Sequence, residues 1–450
     1  MHIHILGICG TFMGGLAQIA KQLGHKVTGS DQNVYPPMSE ELVKLNIDVM
    51  SGYDSEHLSS NPDIVLVGNT LSRGNPAIEY MLNQKMHYMS GPEWLYRQVL
   101  HDRHVLAVSG THGKTTTTSM LSWILEYTGL NPSFLIGGVA ENFDRSARFT
   151  DSKYFVIEAD EYDTAFFDKR SKFIHYHPDV LIINNIEYDH ADIFHDLAAI
   201  RAQFHNLVRM LPENATIVFP LEDKEIDEVI SMGCWARLET FSVTNGDWSI
   251  FDASKDFRNF SVKSPKKETG FVEWQTIGEH NAMNALAAIV AANNIGISVD
   301  SACEALSKFK SVKRRLECIF EVDGIRIFDD FAHHPTAIRK SIQALSSTLD
   351  EGRIIAIMEP RSNTMRMGVH SEVLSDAFLD ADLVYFFQPN DLNWNIKEHV
   401  SQLGDRCQIF KDVDKIAEHV CSNIRTNDQI IIMSNGAFGG IHKKIAERLN

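Results

Sequence analysis

Gly110-Thr111-His112-Gly113-Lys114-Thr115-Thr116 is the stretch on which the reading of this chain turns. An apolar segment, Val105–Ser109, precedes it, and a helical pattern, Lys114–Tyr127, follows. Strand, glycine turn and helix in that order are the setting a phosphate-binding loop requires. The glycines admit positive φ and close approach of the backbone. N–H groups can then face phosphate oxygens beside the positive end of a helix. Lys114 would reach the terminal phosphates, and Thr115 would offer a hydroxyl to Mg2+. The usual spacing puts another glycine where this chain has Val108, so the loop is a shortened form.

Two further apolar segments end in chemistry. Tyr154–Ala159 runs into Glu158-Ala159-Asp160-Glu161-Tyr162-Asp163, and Val180–Asn184 runs into Asn185-Ile186-Glu187-Tyr188-Asp189-His190. In a parallel sheet, ligands sit beyond the carboxyl ends of the strands. Glu158 and His190 are therefore expected beside the phosphates, where carboxylate, imidazole and water suit Mg2+. Near the N-terminus a third strand pattern, His2–Ile8, enters Gly7-Ile8-Cys9-Gly10-Thr11-Phe12-Met13-Gly14-Gly15. Its spacing departs from the dinucleotide pattern at Cys9. It allows a pyrophosphate at the helix N-terminus without selecting a nucleotide. Gly7, Gly10, Thr11, Met13 and Gly14 are candidate ligand contacts. Asp31, ending the second strand, either bonds a ribose or uracil or caps a turn.

Strand and helix patterns alternate through most of the chain, which predicts α/β layers around parallel sheets. Three domains account for the 450 residues: 1–101, 102–312 and 313–450. The charged run His101–His104 and the basic run Lys308–Arg315 read as linkers, and 221–274 reads as peripheral strands and loops. With 42 Lys and Arg against 59 Asp and Glu, the net charge is −17. That balance excludes a general nucleic-acid binder and an anionic-membrane binder, both of which need a basic surface. The six cysteines include no CxxC pair, and no uncharged apolar run has the length of a membrane span. The first residues form a strand and turn, not a signal peptide. The expectation is a cytoplasmic enzyme with reduced thiols.

The ordered set GTHGKTT, EADEYD, NNIEYDH, GEHNAMNALAA (Gly278–Ala288) and DDFAHHPTAI (Asp329–Ile338) resembles the Mur ligase family of peptidoglycan enzymes over essentially the whole chain. The resemblance implies a Rossmann-like N-terminal domain that binds a UDP-sugar, a central P-loop ATPase domain and a Rossmann-like C-terminal domain. It implies ATP and Mg2+, with Thr115 and Glu158 on one ion and Glu158 with His190 on a second. Gly110 through Thr116 would hold phosphates, Asn281 and Asn284 would meet the adenine, and Arg315 and Asp330 would contact phosphates and ribose. His333 and His334 would face the same site. Several members carry a carbamylated Lys that bridges the metals. The matching position here is Phe204, an absence shared by the members that add L-alanine to UDP-N-acetylmuramate.

Two stretches separate the chain from those members: Tyr162–Phe173, containing Lys169-Arg170-Ser171-Lys172, and Glu359–Arg366. Both resemble the member that joins the tripeptide L-Ala-γ-D-Glu-meso-diaminopimelate to UDP-N-acetylmuramate in peptidoglycan recycling. The resemblance thus implies an acyl-phosphate ligase with these two substrates, with addition of L-alanine as the alternative. Arg361 and Arg366 are then candidate acceptor contacts, since a guanidinium can hold a carboxylate bidentately. A binding protein that kept the fold and lost turnover is the contrasting reading, but Lys114, Thr115, Glu158 and His190 are all in place.

Overall fold

A computed structural model describes residues 1–34 and 38–449. The first sheet has five parallel strands: Asp48–Ser51, Lys26–Asp31, His2–Leu6, Ile64–Val67 and Tyr88–Ser90, in that spatial order. His2–Leu6 lies at the centre, where the order reverses, so Gly7 emerges at the crevice where such folds bind ligands. Helix Thr11–Gln22 follows at once and buries Met13 through Ala20.

The second sheet has ten strands. At its centre His104–Ser109 is flanked by Tyr154–Glu158 on one side and Val180–Ile183 on the other, all parallel. Nearly every residue of the three is buried, as expected of strands covered on both faces. Register pairs Val108 with Glu158 and Ser109 with Ile183, so the three strand ends lie level. The three sequence clusters emerge there side by side. Helix Lys114–Tyr127, with the bounds expected from its pattern, is rich in Thr and Ser yet buried. Two of its hydroxyls are satisfied within the helix: Thr118 Oγ1 donates to the Lys114 carbonyl and Ser119 Oγ to that of Thr115, each at 2.7 Å.

Residues 221–274 hold the peripheral strands expected of them, and in addition a helix. They form a helix, Lys224–Ser231, and four strands, Arg237–Ser242, Trp248–Phe251, Asn259–Lys263 and Thr269–Glu273, which extend the central sheet to its edge. The third sheet has six strands, five of them parallel, with Glu317–Val322 antiparallel at one edge. Among the described residues, no helix is long and apolar enough to cross a membrane.

Candidate active site

The glycine loop has the geometry its sequence anticipates. Gly110 and Gly113 have φ of +124° and +81°, values that disfavour any side chain. The loop is fixed from the neighbouring strand end. Asn185 Oδ1 accepts from the His112 N–H (2.8 Å), and the Asn184 side chain donates to the His112 carbonyl (3.3 Å). Thr111 Oγ1 accepts from the Glu187 N–H (2.8 Å).

Lys114 opens the helix with its ammonium held between two carboxylates, Glu161 at 2.8 Å and Asp160 at 3.5 Å. Burial works against the charged amine, but Glu161, Asp160 and Glu158 outweigh it and hold the Lys114 pKa above the ordinary lysine value. Lys172 closes the cluster on the far side, 3.1 Å from Asp160. Thr115 Oγ1 donates to Glu158 Oε1 (3.2 Å) and accepts from Arg315 (3.3 Å), which reaches in from the end of the basic run Lys308–Arg315. Burial raises the Glu158 pKa, with Lys114 pulling the other way. Gly137 lets this carboxylate lie against a neighbouring strand: its N–H donates to Glu158 Oε2 at 2.7 Å, and a Cβ there would stand 2.6 Å from Oε1.

His190 adopts a left-handed backbone (φ 54°) and places Nε2 3.1 Å from Glu161 Oε1. Burial lowers its pKa, but the Glu161 hydrogen bond and charge more than compensate, so the net shift is upward. Its ligand atom groups with those of Asp160 and Glu161; Glu158 stands outside that group and meets Thr115 instead. Phe204 is fully buried against Phe173, ring centroids 5.3 Å apart, so its helix sends no carboxyl group toward the site.

Two cavities meet here. A large one of about 960 Å3 lies between the second and third sheets and is lined by twelve of the thirteen residues expected for nucleotide, metal and chemistry, from Thr111 through Thr116, Glu158 and His190 to Asn281, Asn284, Arg315 and Asp330; only Gly110 is missing from the wall. A smaller one of about 300 Å3 lies between the first and second sheets, lined by Gly7, Gly10, Thr11 and Met13 with Thr164 and Lys172. Gly137, Glu158 and Asp160 form the wall common to both.

The other expected contacts lie elsewhere. Gly14 packs under Met38. Asp31 accepts from the N–H groups of Cys9 (2.8 Å) and Asn33 (2.9 Å), so of its two anticipated roles the turn-holding one is visible. Arg361 lies against Gly436, with a side chain 54% exposed and 3.8 Å from Glu359. Arg366 is paired with Asp391. Neither arginine lines either cavity. Sequence reasoning passed over Asp160, Glu161 and Lys172. The acidic run was visible, but only distances show which of its carboxylates neutralises Lys114.

The third sheet is docked on the second through polar contacts at the cavity rim. Thr364 Oγ1 donates to Asp189 (2.7 Å), Asn363 to Asp192 (2.9 Å) and Thr336 Oγ1 to Glu187 (2.6 Å). Residues 2–103, 108–292 and 314–436 match in turn the Mur ligase family catalytic domain, the Mur ligase middle domain and the Mur ligase glutamate ligase domain. The chain belongs to the Mur ligase family. It shares the family's three-domain architecture, and it is an ATP-dependent, amide-bond-forming Mur ligase.

Over 449 residues it is 49% identical to the UDP-N-acetylmuramate–L-alanyl-γ-D-glutamyl-meso-2,6-diaminoheptandioate ligase of Haemophilus influenzae, covering 100% of this chain and 99% of that one. The crystal structure of a murein peptide ligase from Psychrobacter arcticus 273-4 aligns with a TM-score of 0.77 at 45% identity, covering 100% of this chain and 98% of that chain. A UDP-N-acetylmuramate–L-alanine ligase of Endomicrobium trichonymphae is 30% identical over 386 residues, 85% of this chain and 83% of that one.

Proposed function

We propose that this Mur ligase joins the tripeptide L-Ala-γ-D-Glu-meso-diaminopimelate to UDP-N-acetylmuramate at the expense of ATP, a step of peptidoglycan recycling. The observation that carries the reading is the common wall of the two cavities. A carboxylate entering from the smaller cavity and a γ-phosphate from the larger one would meet at Gly137, Glu158 and Asp160. The choice of acceptor rests on 49% identity to the diaminoheptandioate-tripeptide ligase, against 30% to the L-alanine ligase. We assign 1–101 to the UDP-sugar, 102–312 to ATP, and 313–450 to completing the nucleotide and acceptor sites.

A carboxylate is a poor acyl donor because oxide is a poor leaving group. Transfer of the γ-phosphoryl group makes an acyl phosphate; the tripeptide amine then attacks carbon, a tetrahedral intermediate forms, and phosphate leaves. The first step brings two anions together. Lys114, already held among carboxylates, is the cation that offsets their repulsion, and the loop N–H groups orient the phosphates. Arg315 comes from the C-terminal side and Thr115 from the loop, so the site is complete only when the domains meet. That closure also keeps water from the acyl phosphate.

Thr115 and Glu158 fit one Mg2+. Both are oxygen donors, held 3.2 Å apart, and oxygen ligands are what Mg2+ prefers. His190 would hold a second ion, with Glu161 and Asp160 as its adjacent carboxylates. Bound there, Mg2+ supplies charge neutralisation for the phosphates. Acceptor profiling with UDP-N-acetylmuramate and MgATP tests the proposal. Phosphate release driven by the tripeptide and not by L-alanine is expected. Release with L-alanine alone, or release independent of UDP-N-acetylmuramate, overturns it.

A further inference from the structure

The rim of the large cavity holds a side-chain group to which the mechanism above gives no chemical step. His112 Nε2, on the phosphate loop, lies 3.1 Å from His334 Nδ1, at the head of helix Pro335–Ser347 in the third domain. Glu187 Oε2, beyond the strand Val180–Ile183, lies 3.6 Å from the first nitrogen and 3.5 Å from the second. A triangle with these sides has a centre about 2.0 Å from every corner, the length of a Zn–N or Zn–O bond. The three atoms therefore already hold the spacing of one face of a tetrahedral site.

The surrounding contacts are those that orient metal ligands. His334 Nε2–H donates to the Tyr188 carbonyl (3.3 Å), which makes Nδ1 the unprotonated, lone-pair nitrogen, and Thr336 Oγ1 donates to Glu187 Oε2 (2.6 Å). The Thr336 N–H also approaches His334 Nδ1, at a long 3.3 Å. The group is enclosed: the His334 side chain is 7% exposed and that of His112 14%. A third imidazole, His370, packs edge-on with its centroid 4.4 Å from that of His334, and its Nε2 is buried without a partner among the described residues. One ring nitrogen beside the group is thus left with its hydrogen-bonding capacity unused.

We propose that His112, Glu187 and His334 form a site for a divalent transition ion of the Zn2+ class, which clamps the central and C-terminal domains together. Two imidazoles and one carboxylate select Zn2+ or Co2+ over Mg2+, which prefers an all-oxygen shell. The three residues also line the large cavity, so water can take the fourth position. Two ligands belong to the central domain and one to the C-terminal domain. The ion binds only when the domains are together, and while bound it keeps the nucleotide from exchanging. It acts as an inhibitor at a place separate from the Thr115–Glu158 pair. The inference does not depend on which acceptor the ligase takes.

Co2+ is the probe, titrated into the full chain with Mg2+ in large excess. One equivalent should bind and give the intense visible bands of four-coordinate cobalt, and Zn2+ should erase them. His334→Ala should weaken uptake by at least about 100-fold, the scale on which even an outer-shell partner of a ligand matters. His190→Ala should keep the bands. Glu187→Gln, checked for folding by circular dichroism, serves as the second ligand variant. At fixed Mg2+, Zn2+ should slow wild-type turnover saturably, with the inhibition constant raised to a similar extent in Glu187→Gln. Bands that survive in His334→Ala and vanish in His190→Ala would place the ion on Asp160, Glu161 and His190 and overturn the assignment. So would a weak six-coordinate spectrum, or no uptake.

Discussion

Replacing Lys114 by Ala should damage the enzyme in two separable ways. The sequence alone suggests that the lysine can be removed with the fold left intact, because it is treated as a phosphate contact. The structure adds a second role. Glu161 is 2% exposed and its nearest cation is Lys114 at 2.8 Å. Asp160 shares the same ammonium at 3.5 Å. Deleting one partner of a buried ion pair leaves an uncompensated charge, at about 3–5 kcal/mol. His190, 3.1 Å from Glu161, and Lys172, 3.1 Å from Asp160, remain as partial compensation, so the lower end applies, about 3 kcal/mol. For a domain of this size that is a melting shift on the order of 10 °C. Turnover should fall about 10²- to 10³-fold, since a charge aimed at the transferring group in a closed site is lost.

The double variant Lys114→Ala/Glu161→Gln separates the two effects. It removes the orphaned charge along with its partner, so most of the melting shift should be recovered while turnover stays low. Calorimetry of the central-domain transition and phosphate release measured on the same samples decide it. A Lys114→Ala enzyme with wild-type melting and near wild-type turnover refutes the site. Recovery of turnover in the double variant would mean that Lys114 acts only by neutralising Glu161.

Three further outcomes are expected. His190→Ala should raise the Mg2+ concentration needed for half-activity while leaving UDP-N-acetylmuramate binding unchanged, and bicarbonate should have no effect on either enzyme because buried Phe204 offers nothing to carbamylate; an unmoved Mg2+ midpoint removes His190 from the metal site. Arg361→Ala should raise KM for the tripeptide roughly 5- to 30-fold, about 1–2 kcal/mol for a charged contact formed on binding, with KM for ATP unchanged; unaltered tripeptide kinetics would move acceptor recognition to the Lys169–Lys172 stretch. His4, buried and bonded to Thr28 and Ser30 at 2.9 Å each, has its pKa lowered from 6.5 to about 4 by burial, helped by His2 and His57. The unfolded chain therefore takes up the proton first, so stability present above pH 6.5 should be lost toward about pH 4, by roughly 3 kcal/mol at most, and His4→Gln should flatten that part of the pH–melting curve.

What was legible in the sequence follows a physical pattern. The three chemical clusters could be located because each follows a buried parallel strand, and such strands are continuous apolar runs. Adjacency in the sheet then brought Gly110, Glu158 and Asn184 to one edge. In 221–274 the peripheral strands are legible but their bounds and the helix are not, because the elements bury only one face. Thr269–Glu273 alternates buried and exposed residues, and helix Lys224–Ser231 buries only Ile226 and Val229. Short amphipathic elements with charged outer faces look like loops when no apolar run marks them. Gly14 and Asp31 show a related limit: a glycine turn after a strand announces a binding crevice, but which of its residues face the crevice depends on packing.

The pairing of charges was the least legible level, and the reason is geometric. Glu158, Asp160 and Glu161 occupy four consecutive positions with Ala159, yet they serve five different partners. Glu158, the last residue of its strand, meets Thr115 and the N–H of Gly137. Asp160 and Glu161, beyond the strand, divide Lys172, Lys114 and His190 between them. The family resemblance assigns Glu158 and His190 to one ion. The distances instead give His190 to Glu161, a residue whose type and position say nothing of the partner it will find. The same holds for Arg361 and Arg366. Both follow strand Ile354–Met358 at the ligand-bearing edge, as the pattern implies, but Asp391, which comes from a later loop, captures Arg366. Among the described residues Arg361 has no close carboxylate partner beyond Glu359 at 3.8 Å, and for that reason we propose Arg361, not Arg366, as the acceptor contact from this segment.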